Sequence, residues 1–262
     1  MAKAQASGPA ELPREPFLFG SAGFLSAAEC AEWVRRAEAS GQLSAVRQAA
    51  SRGYAHRAHQ RWQFESSAVA ADLFARLQRQ PGLLPATVDG MVPLGCSSNI
   101  RLYKYDGAAG DSFGPHVDES SPGPAPGSAS VFTLLVYLSS VPAGDGGRTV
   151  FYADHAARRV HCAVQPQQGL LLLHGHGRRC LTHEAEPLRR GAGCGAKFVL
   201  RSDVYYGPAA AAAAAASAAA AAASAAATAA AAAAAGAGAA AGAGAAAAGA
   251  VAAGGKGKRK QR

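Results

Sequence analysis

The sequence lacks the features that mark disulfide-rich, cysteine-zinc and membrane-spanning proteins. Its five cysteines are an odd number and form no Cys-x-x-Cys pair, so neither a disulfide framework nor a cysteine-rich zinc site is expected. The first twenty residues contain no apolar core of the length that a signal peptide needs. The long alanine run has no Leu, Ile or Phe and is too weakly apolar for a transmembrane helix. These absences favour a reducing compartment, cytoplasmic or nuclear, and no membrane partner.

The C-terminal part of the chain differs in composition from the rest. Residues 208–262 are mostly Ala, then Ala and Gly, and end in GGKGKRKQR. The net charge is +9, and five positive charges lie in residues 256–262, which leaves +4 for the rest of the chain. That balance gives little reason to expect nucleic acid, and basic binding through the tail alone should vanish when the tail is removed. We expect a flexible N-terminus over 1–20, one domain over 21–207, and a disordered or helical tail over 208–262.

Two helices are predicted before residue 95. Ser26 lies three residues before Glu29, which is the pattern of a capping box, and apolar residues then recur at helical spacing at Cys30, Trp33, Val34 and Ala37. A second helix is predicted from Ser67 to about Gln80, with Pro81 ending it and with an inward face of Val69, Leu73, Phe74 and Leu77.

Short strands are predicted over the following half of the chain. Runs rich in β-branched, leucine and aromatic residues alternate with Gly, Pro or polar segments: NIRLYKY (99–105), VFTLLVYL (131–138), RTVFY (148–152), RVHCAV (159–164), GLLLLH (169–174) and KFVLRSDVYY (197–206). This spacing is typical of an antiparallel sandwich or barrel.

A candidate metal site begins with the His-x-Asp pair His116 and Asp118. Side chains two positions apart on an extended segment point to the same side. His183, in LTHEAEP between two predicted strands, can supply a third donor from a distant strand of a barrel. Two histidines and one carboxylate are the ligand set of a ferrous centre that keeps coordination positions open for oxygen chemistry. An accidental surface pair is the alternative interpretation.

The last predicted strand carries unusual charges. Alternation places Lys197, Val199, Arg201 and Asp203 on one face, with Phe198, Leu200 and Val204 on the other. Two cations on one face of an interior strand are costly unless an anion meets them. A dicarboxylate co-substrate would satisfy that requirement.

The motifs occur in a recognisable order. HxD is followed by GGRTVFY, a leucine-rich strand, HE and GAKFVLRSDVYY, and this order resembles the iron(II)/2-oxoglutarate-dependent dioxygenases of the prolyl 4-hydroxylase-like group. The resemblance covers about residues 99–206, and more loosely the chain from Phe24 onward. It implies an α+β fold with a double-stranded β-helix (jelly-roll) core and N-terminal supporting helices.

The resemblance also implies roles for individual residues. The iron ligands would be His116, Asp118 and His183, and Lys197 would pair with the far carboxylate of 2-oxoglutarate. Tyr137, Tyr105 and, more weakly, Thr149 match pocket positions. The interval from His183 to Lys197 is longer than in the family, because extra residues fall in LRRGAGCGA. Arg201, which faces the same way as Lys197, is therefore the alternative anchor.

Several residues near these motifs are interpreted from position alone. Arg101 and Tyr103 share a face with Tyr105 and are candidates for substrate contact, with simple packing as the alternative. His174 and His176 are an alternative metal pair, although a turn or a place behind the ligands is preferred. The stretch with His56 and His59 is expected to cover the mouth of the site or contact substrate, and 119–130 to be a lid or an expanded loop.

The resemblance implies hydroxylation of an unactivated C–H bond, with Fe(II), 2-oxoglutarate as co-substrate and ascorbate as reductant. The expected substrate is a prolyl or other protein side chain. A small molecule or free amino acid is the alternative substrate, and an inactive barrel that serves as a binding module is the alternative function. A nucleic-acid partner is not expected, and the oligomeric state is left open.

Overall fold

The structure, a computed structural model, describes residues 17–189, 191, 193–218, 220–221 and 224–230. Two α-helices, α1 (Ala27–Ala39) and α2 (Ser67–Gln78), precede most of the strands. The twelve strands of this described part are β1 (Leu18–Ser21), β2 (Ser44–Gln48), β3 (Arg57–Glu65), β4 (Val92–Cys96), β5 (Asn99–Asp106), β6 (Ser112–His116), β7 (Ala129–Tyr137), β8 (Thr149–Tyr152), β9 (Val160–Val164), β10 (Leu171–Gly175), β11 (His183–Ala185) and β12 (Ala196–Gly207).

Both predicted helices are confirmed. Helix α1 begins after Ser26, whose side chain accepts from the Glu29 backbone N–H while the Glu29 carboxylate accepts from the Ser26 backbone, so the capping box is formed. The chain leaves α1 through Gly41, whose φ of +64° is a conformation that glycine adopts without strain. Helix α2 ends at Gln78, two residues before the predicted end, and buries Leu73 and Leu77.

All strand pairings are antiparallel, and the predicted jelly-roll core with supporting helices is confirmed. The hydrogen-bonded order is β1-β10-β7-β12-β5-β3-β6-β11-β8-β9, with β2 against β3 and β4 against β12. The six strands predicted from the sequence correspond to β5, β7, β8, β9, β10 and β12, each within two residues at either end. The order brings β6, which ends at His116, next to β11, which begins at His183.

Strand β7 shows how the sheet separates two interiors. Phe132, Leu134 and Val136 join the larger apolar cluster with the helices, whereas Leu135 and Tyr137 belong to the second cluster. Alternation along a strand sends successive side chains to opposite faces. Nearly every residue of β7 is buried, so both faces of this strand are sheltered from solvent. The candidate site lies on the second face.

The arginine-rich stretch near residue 57 contains a strand that was not predicted. Arg57–Gln60 belong to β3, which pairs with both β5 and β6. His59 is 2% exposed and packs edge-on against Tyr103. This strand was not predicted because its sequence, RAHQRWQFE, is largely polar. Its half-buried face carries long charged side chains, and the aliphatic stems of such side chains cover apolar surface.

The segment after Asp118 is a closely bonded loop. Two hydrogen bonds join Ser121 and Ser130. The Ser130 backbone N–H donates to the Ser121 carbonyl, and the Ser121 backbone N–H donates to the Ser130 hydroxyl. Gly123 N–H donates to the Ser128 carbonyl. Of the two interpretations of 119–130, the contacts favour an expanded loop.

The two ends of the chain are described only in part. Strand β1 begins at Leu18, inside the segment predicted to be flexible, and pairs with β10. In the separate unit from Ala213 onward, positions 213–218, 220–221 and 224–230 are helical. Residues 1–16 and 231–262, including the basic end, lie outside the described residues. Among the helices described, none has the length and hydropathy to cross a membrane.

Candidate metal centre

His116 and His183 meet because their strands are neighbours. His116 closes β6 and His183 opens β11, and the two residues are direct partners in the antiparallel register. Their ring centroids are 4.3 Å apart. Asp118 follows two residues after His116, and one donor atom from each of the three lies within 4.8 Å of the others. The structure thus brings together the three residues that the sequence singled out.

Backbone contacts orient both imidazoles. His116 Nδ1 lies 2.9 Å from the Gly114 carbonyl oxygen, and His183 Nδ1 lies 3.0 Å from the Leu181 carbonyl oxygen. A carbonyl only accepts, so each Nδ1 carries the proton and each Nε2 keeps its lone pair. The Nε2 atoms face Asp118, at 3.7 Å from Oδ1 and 4.0 Å from Oδ2 respectively.

Burial keeps these histidines neutral. Desolvation, followed by the neighbouring His183, lowers the pKa of His116 to about 3. Desolvation also lowers the pKa of His183. A neutral imidazole is the form that coordinates a metal, so both rings are in the required protonation state at neutral pH.

The Asp118 carboxylate is buried but ionised. Desolvation, the largest single effect, would by itself raise its pKa, but the Arg201 guanidinium and the three neighbouring histidines together outweigh it and hold the pKa well below its ordinary value. Arg201 Nη2 lies 3.0 Å from Oδ2, and the Thr133 hydroxyl donates to the same oxygen at 2.6 Å. A charged ligand is therefore held in place by a cation and a fixed hydroxyl.

A buried chain of hydrogen bonds continues behind Asp118. Thr133 Oγ1, which donates to Asp118, lies 2.7 Å from His176 Nε2 and so accepts from that nitrogen. His176 Nδ1 in turn accepts from the Ser130 hydroxyl at 3.0 Å. His176 therefore lies one hydrogen bond behind Thr133, away from the three candidate metal donors. Thr133 was missed because one threonine in an apolar strand gives no sequence signal.

His174 is closer to the centre than the sequence suggested. It lies on β10, opposite Thr133, and its Nε2 is 3.7 Å from Asp118 Oδ2. Cys180 was also missed: its thiol accepts from the Asp118 backbone N–H at 3.2 Å and lies 3.7 Å from His183 Nδ1. The available signal was the position of His174 at the end of a buried strand followed closely by Cys180.

Lys197 lies at another part of the same cavity. It is 1% exposed and faces Tyr105 across the β12–β5 pairing. Its Nζ donates to the Gly147 carbonyl at 2.8 Å and lies 4.7 Å from the Tyr105 ring centroid. Desolvation lowers the pKa of Lys197 to about 7. A buried amine with a backbone carbonyl as its acceptor is suited to an incoming carboxylate.

Thr149 and Tyr137 act as a pair. Thr149 lines the cavity beside Lys197, and the fully buried Tyr137 donates its hydroxyl to Thr149 Oγ1 at 2.7 Å. Since Thr149 accepts that bond, its own hydroxyl hydrogen is free to point into the cavity. The sequence ranked Tyr137 above Thr149 as a pocket residue, whereas in the structure Thr149 lines the cavity and Tyr137 lies behind it.

The Asp203 carboxylate lies between two arginines, Arg201 on β12 and Arg101 on β5. Arg201 Nη2 lies 3.4 Å from Asp203 Oδ1, and Arg101 Nη2 lies 3.8 Å from Oδ2. Arg201 and Tyr103 line the cavity, together with Tyr105 and Val199. Arg101 faces Asp203, so its side chain is arranged as a partner of that carboxylate.

Among known proteins, the matches to this chain are with solved structures. No protein-family model matches the chain, and no curated protein matches it. The chain is similar in structure, at low identity, to prolyl 4-hydroxylases and other 2-oxoglutarate-dependent oxygenases. One is a viral collagen prolyl hydroxylase from Paramecium bursaria Chlorella virus-1 in complex with 2-oxoglutarate, at 17% identity and a TM-score of 0.48, covering 72% of this chain and 96% of the other.

Two further structures differ in the molecules they bind. A Trichoplax adhaerens prolyl hydroxylase in complex with a hypoxia inducible factor peptide fragment is 19% identical, with a TM-score of 0.49, over 75% of this chain and 86% of the other. HygX from Streptomyces hygroscopicus, with nickel, 2-oxoglutarate and hygromycin B, is 17% identical, with a TM-score of 0.43, over 73% of this chain and 83% of the other.

Proposed function

We propose that this chain is an iron(II)- and 2-oxoglutarate-dependent dioxygenase that hydroxylates an unactivated C–H bond and releases succinate and CO2. The observation that carries the proposal is one cavity lined by both a two-histidine, one-carboxylate donor set and a buried lysine. The donor set suits a ferrous ion with open positions. The lysine supplies the charge that a dicarboxylate requires at its far end.

The chain's own residues fit the metal. His116 and His183 present neutral Nε2 atoms, and Asp118 presents an ionised carboxylate. When bound, iron supplies the oxygen-activating chemistry. The protein fixes the donors: the carbonyl contacts hold each ring, and Thr133 holds the Asp118 oxygen that also faces Arg201. Such supporting contacts orient the ligands of metal sites and tune the metal.

We assign Lys197 to the distal carboxylate of 2-oxoglutarate, with Thr149 as a second donor. Tyr137 holds the Thr149 hydroxyl from behind, and the Tyr105 ring covers the lysine amine. The pair would form away from water, where charge-assisted hydrogen bonds are strong. Arg201 is the less suitable anchor, because the Asp203 carboxylate already pairs with its guanidinium.

The arrangement also requires a movement. The cavity measures about 40 Å³, room for a few water molecules and less than a five-carbon diacid needs. Arg201 lines this cavity and reaches Asp118. We infer that the Arg201 side chain withdraws when the metal takes its place beside Asp118, and that this withdrawal opens the co-substrate space.

The substrate that we propose is a prolyl or other protein side chain. The support is the order of sequence motifs, with GAKFVLRSDVYY as the most specific segment. Tyr103, which lines the cavity, and Arg101, which is paired with Asp203, are assigned to substrate contact. Ascorbate is assigned as the reductant that keeps the iron ferrous.

Succinate formation tests the reaction. Purified full-length protein is incubated with Fe(II), 2-oxoglutarate and ascorbate, as wild type, as His116→Ala and as His155→Ala, which removes an exposed histidine instead. We expect metal-dependent succinate from wild type and His155→Ala, and none from His116→Ala. If wild type neither forms succinate nor binds iron, the enzyme proposal fails and the alternative, an inactive barrel that serves as a binding module, is favoured. Mass spectrometry then separates hydroxylated Pro-rich peptides from a hydroxylated free amino acid.

A further inference from the structure

His174 is a buried imidazole at the centre that the proposed iron site does not use. Its side chain is on β10 and the residue is 2% exposed, yet neither ring nitrogen has a hydrogen-bond partner among the described residues. Its ring centroid lies 4.3 Å from that of His183. Leaving a buried polar group unpaired costs free energy, and an ion bound at such a group would remove that cost.

Cys180 supplies a second unused donor beside it. Cys180 is 5% exposed, and the atom of its side chain that can coordinate a metal is the sulfur. One ring nitrogen of His174, one of His183 and the Cys180 sulfur all lie within 4.8 Å of one another. This set shares only His183 with the set of His116, Asp118 and His183, although His174 and Cys180 both lie beside Asp118.

We propose that His174, Cys180 and His183 form a second, softer metal site that takes zinc and excludes iron from the neighbouring set. Thiolate and imidazole donors favour zinc, and the site offers the three protein ligands that zinc combines with one exchangeable position. Zinc bond lengths and tetrahedral angles place a sulfur and a nitrogen ligand about 3.6 Å apart. The Cys180 Sγ to His183 Nδ1 distance is 3.7 Å.

The shared histidine makes the two sites mutually exclusive. His183 Nδ1 is held by the Leu181 carbonyl at 3.0 Å, and that bond directs Nε2 toward Asp118. Zinc at Nδ1 would replace the bond and release the ring from the orientation that iron needs, whereas zinc at Nε2 would take the iron-binding nitrogen itself. The thiol proton leaves when the sulfur binds zinc. The consequence is a protein that holds one metal ion at a time, with zinc as an inhibitory occupant.

Cobalt(II) spectroscopy of the full chain tests the sulfur ligand without any turnover. Sulfur bound to Co(II) gives a near-ultraviolet charge-transfer band, which nitrogen and oxygen ligands do not give. We expect the band in wild type, in His116→Ala, and in Cys96→Ala, which removes a different partly buried thiol. The band should be absent from Cys180→Ala. A band that persists in Cys180→Ala, or a wild type without one, would overturn the proposal.

Metal competition tests the exclusion. Wild type is dialysed anaerobically against Fe(II) and increasing zinc, with both metals measured and circular dichroism as the check on folding. We expect at most one ion per chain, with iron leaving as zinc enters. The zinc-to-iron affinity ratio should fall about 10-fold or more in Cys180→Ala and in His174→Leu. A ratio unchanged in both variants would show that zinc occupies the His116 and Asp118 set. That outcome is separate from a failure of the proposed reaction.

Discussion

Replacing Lys197 by Met is the most informative single perturbation of the co-substrate end. Met keeps most of the side-chain volume beside Tyr105 and removes the amine that donates to Gly147. The amine is almost fully buried, so its bond to a carboxylate is not screened by water. A hydrogen bond to a charged group contributes about 1.5–3 kcal/mol.

That loss converts into an affinity. At about 1.4 kcal/mol per tenfold, the dissociation constant for 2-oxoglutarate should rise about 10- to 150-fold in Lys197→Met. Isothermal titration calorimetry with the metal-loaded protein under nitrogen measures it directly. Lys104→Met is the matched control, because Lys104 lies on the adjacent β5 and pairs with the exposed Glu38 at 3.2 Å. It should change the constant less than twofold.

Arg201→Met distinguishes the two candidate anchors. If Arg201 rather than Lys197 held the distal carboxylate, its variant would show the larger loss of 2-oxoglutarate affinity. An unchanged dissociation constant in Lys197→Met together with a large increase in Arg201→Met would refute the assignment and shift the anchor by four residues along β12.

Lys197, Thr133 and Ser26 each make a contact whose effect can be measured separately. The pKa of Lys197 is about 7, so above that pH the amine must gain a proton to bind 2-oxoglutarate, and the dissociation constant should rise about tenfold per pH unit; Lys197→Met should lose that slope in the same calorimetry. Thr133→Val removes the bond to Asp118 and should weaken Fe(II) binding about 10- to 100-fold in an anaerobic titration, whereas unchanged binding would contradict the role of that bond. Ser26→Ala breaks the capping box of α1 and should lower the free energy of unfolding by about 1 kcal/mol in urea denaturation, with no effect if the helix end is already frayed.

The sequence predicted the strands whose buried faces are apolar. Strands β5, β7 and β12 were found because their sequences combine β-branched, leucine and aromatic residues on both faces. Strands β3 and β6 were not, since RAHQRWQFE is largely polar and SFGPH contains Gly and Pro. Their place in the sheet depends on pairing with distant strands, and local sequence carries no record of it.

The candidate site was predictable where spacing along one segment decides it. His116 and Asp118 lie two positions apart on extended backbone, and Lys197 and Arg201 lie four positions apart on β12, so alternation puts each pair on one side. Thr133 lies on β7, whereas His174 lies near the end of β10 and Cys180 follows shortly after that strand. Their meeting at Asp118 depends on the β7–β10 register and on the turn after β10, which sequence alone does not specify.

Anaerobic titration with Fe(II) and then 2-oxoglutarate tests the central claim most directly. We predict that wild type binds one iron per chain and gains a visible metal-to-ligand charge-transfer absorption when 2-oxoglutarate is added. In Asp118→Ala, which removes the carboxylate of the donor set, that absorption should be lost. Wild-type protein that binds no Fe(II), or that binds it without any spectral response to 2-oxoglutarate, would contradict the account.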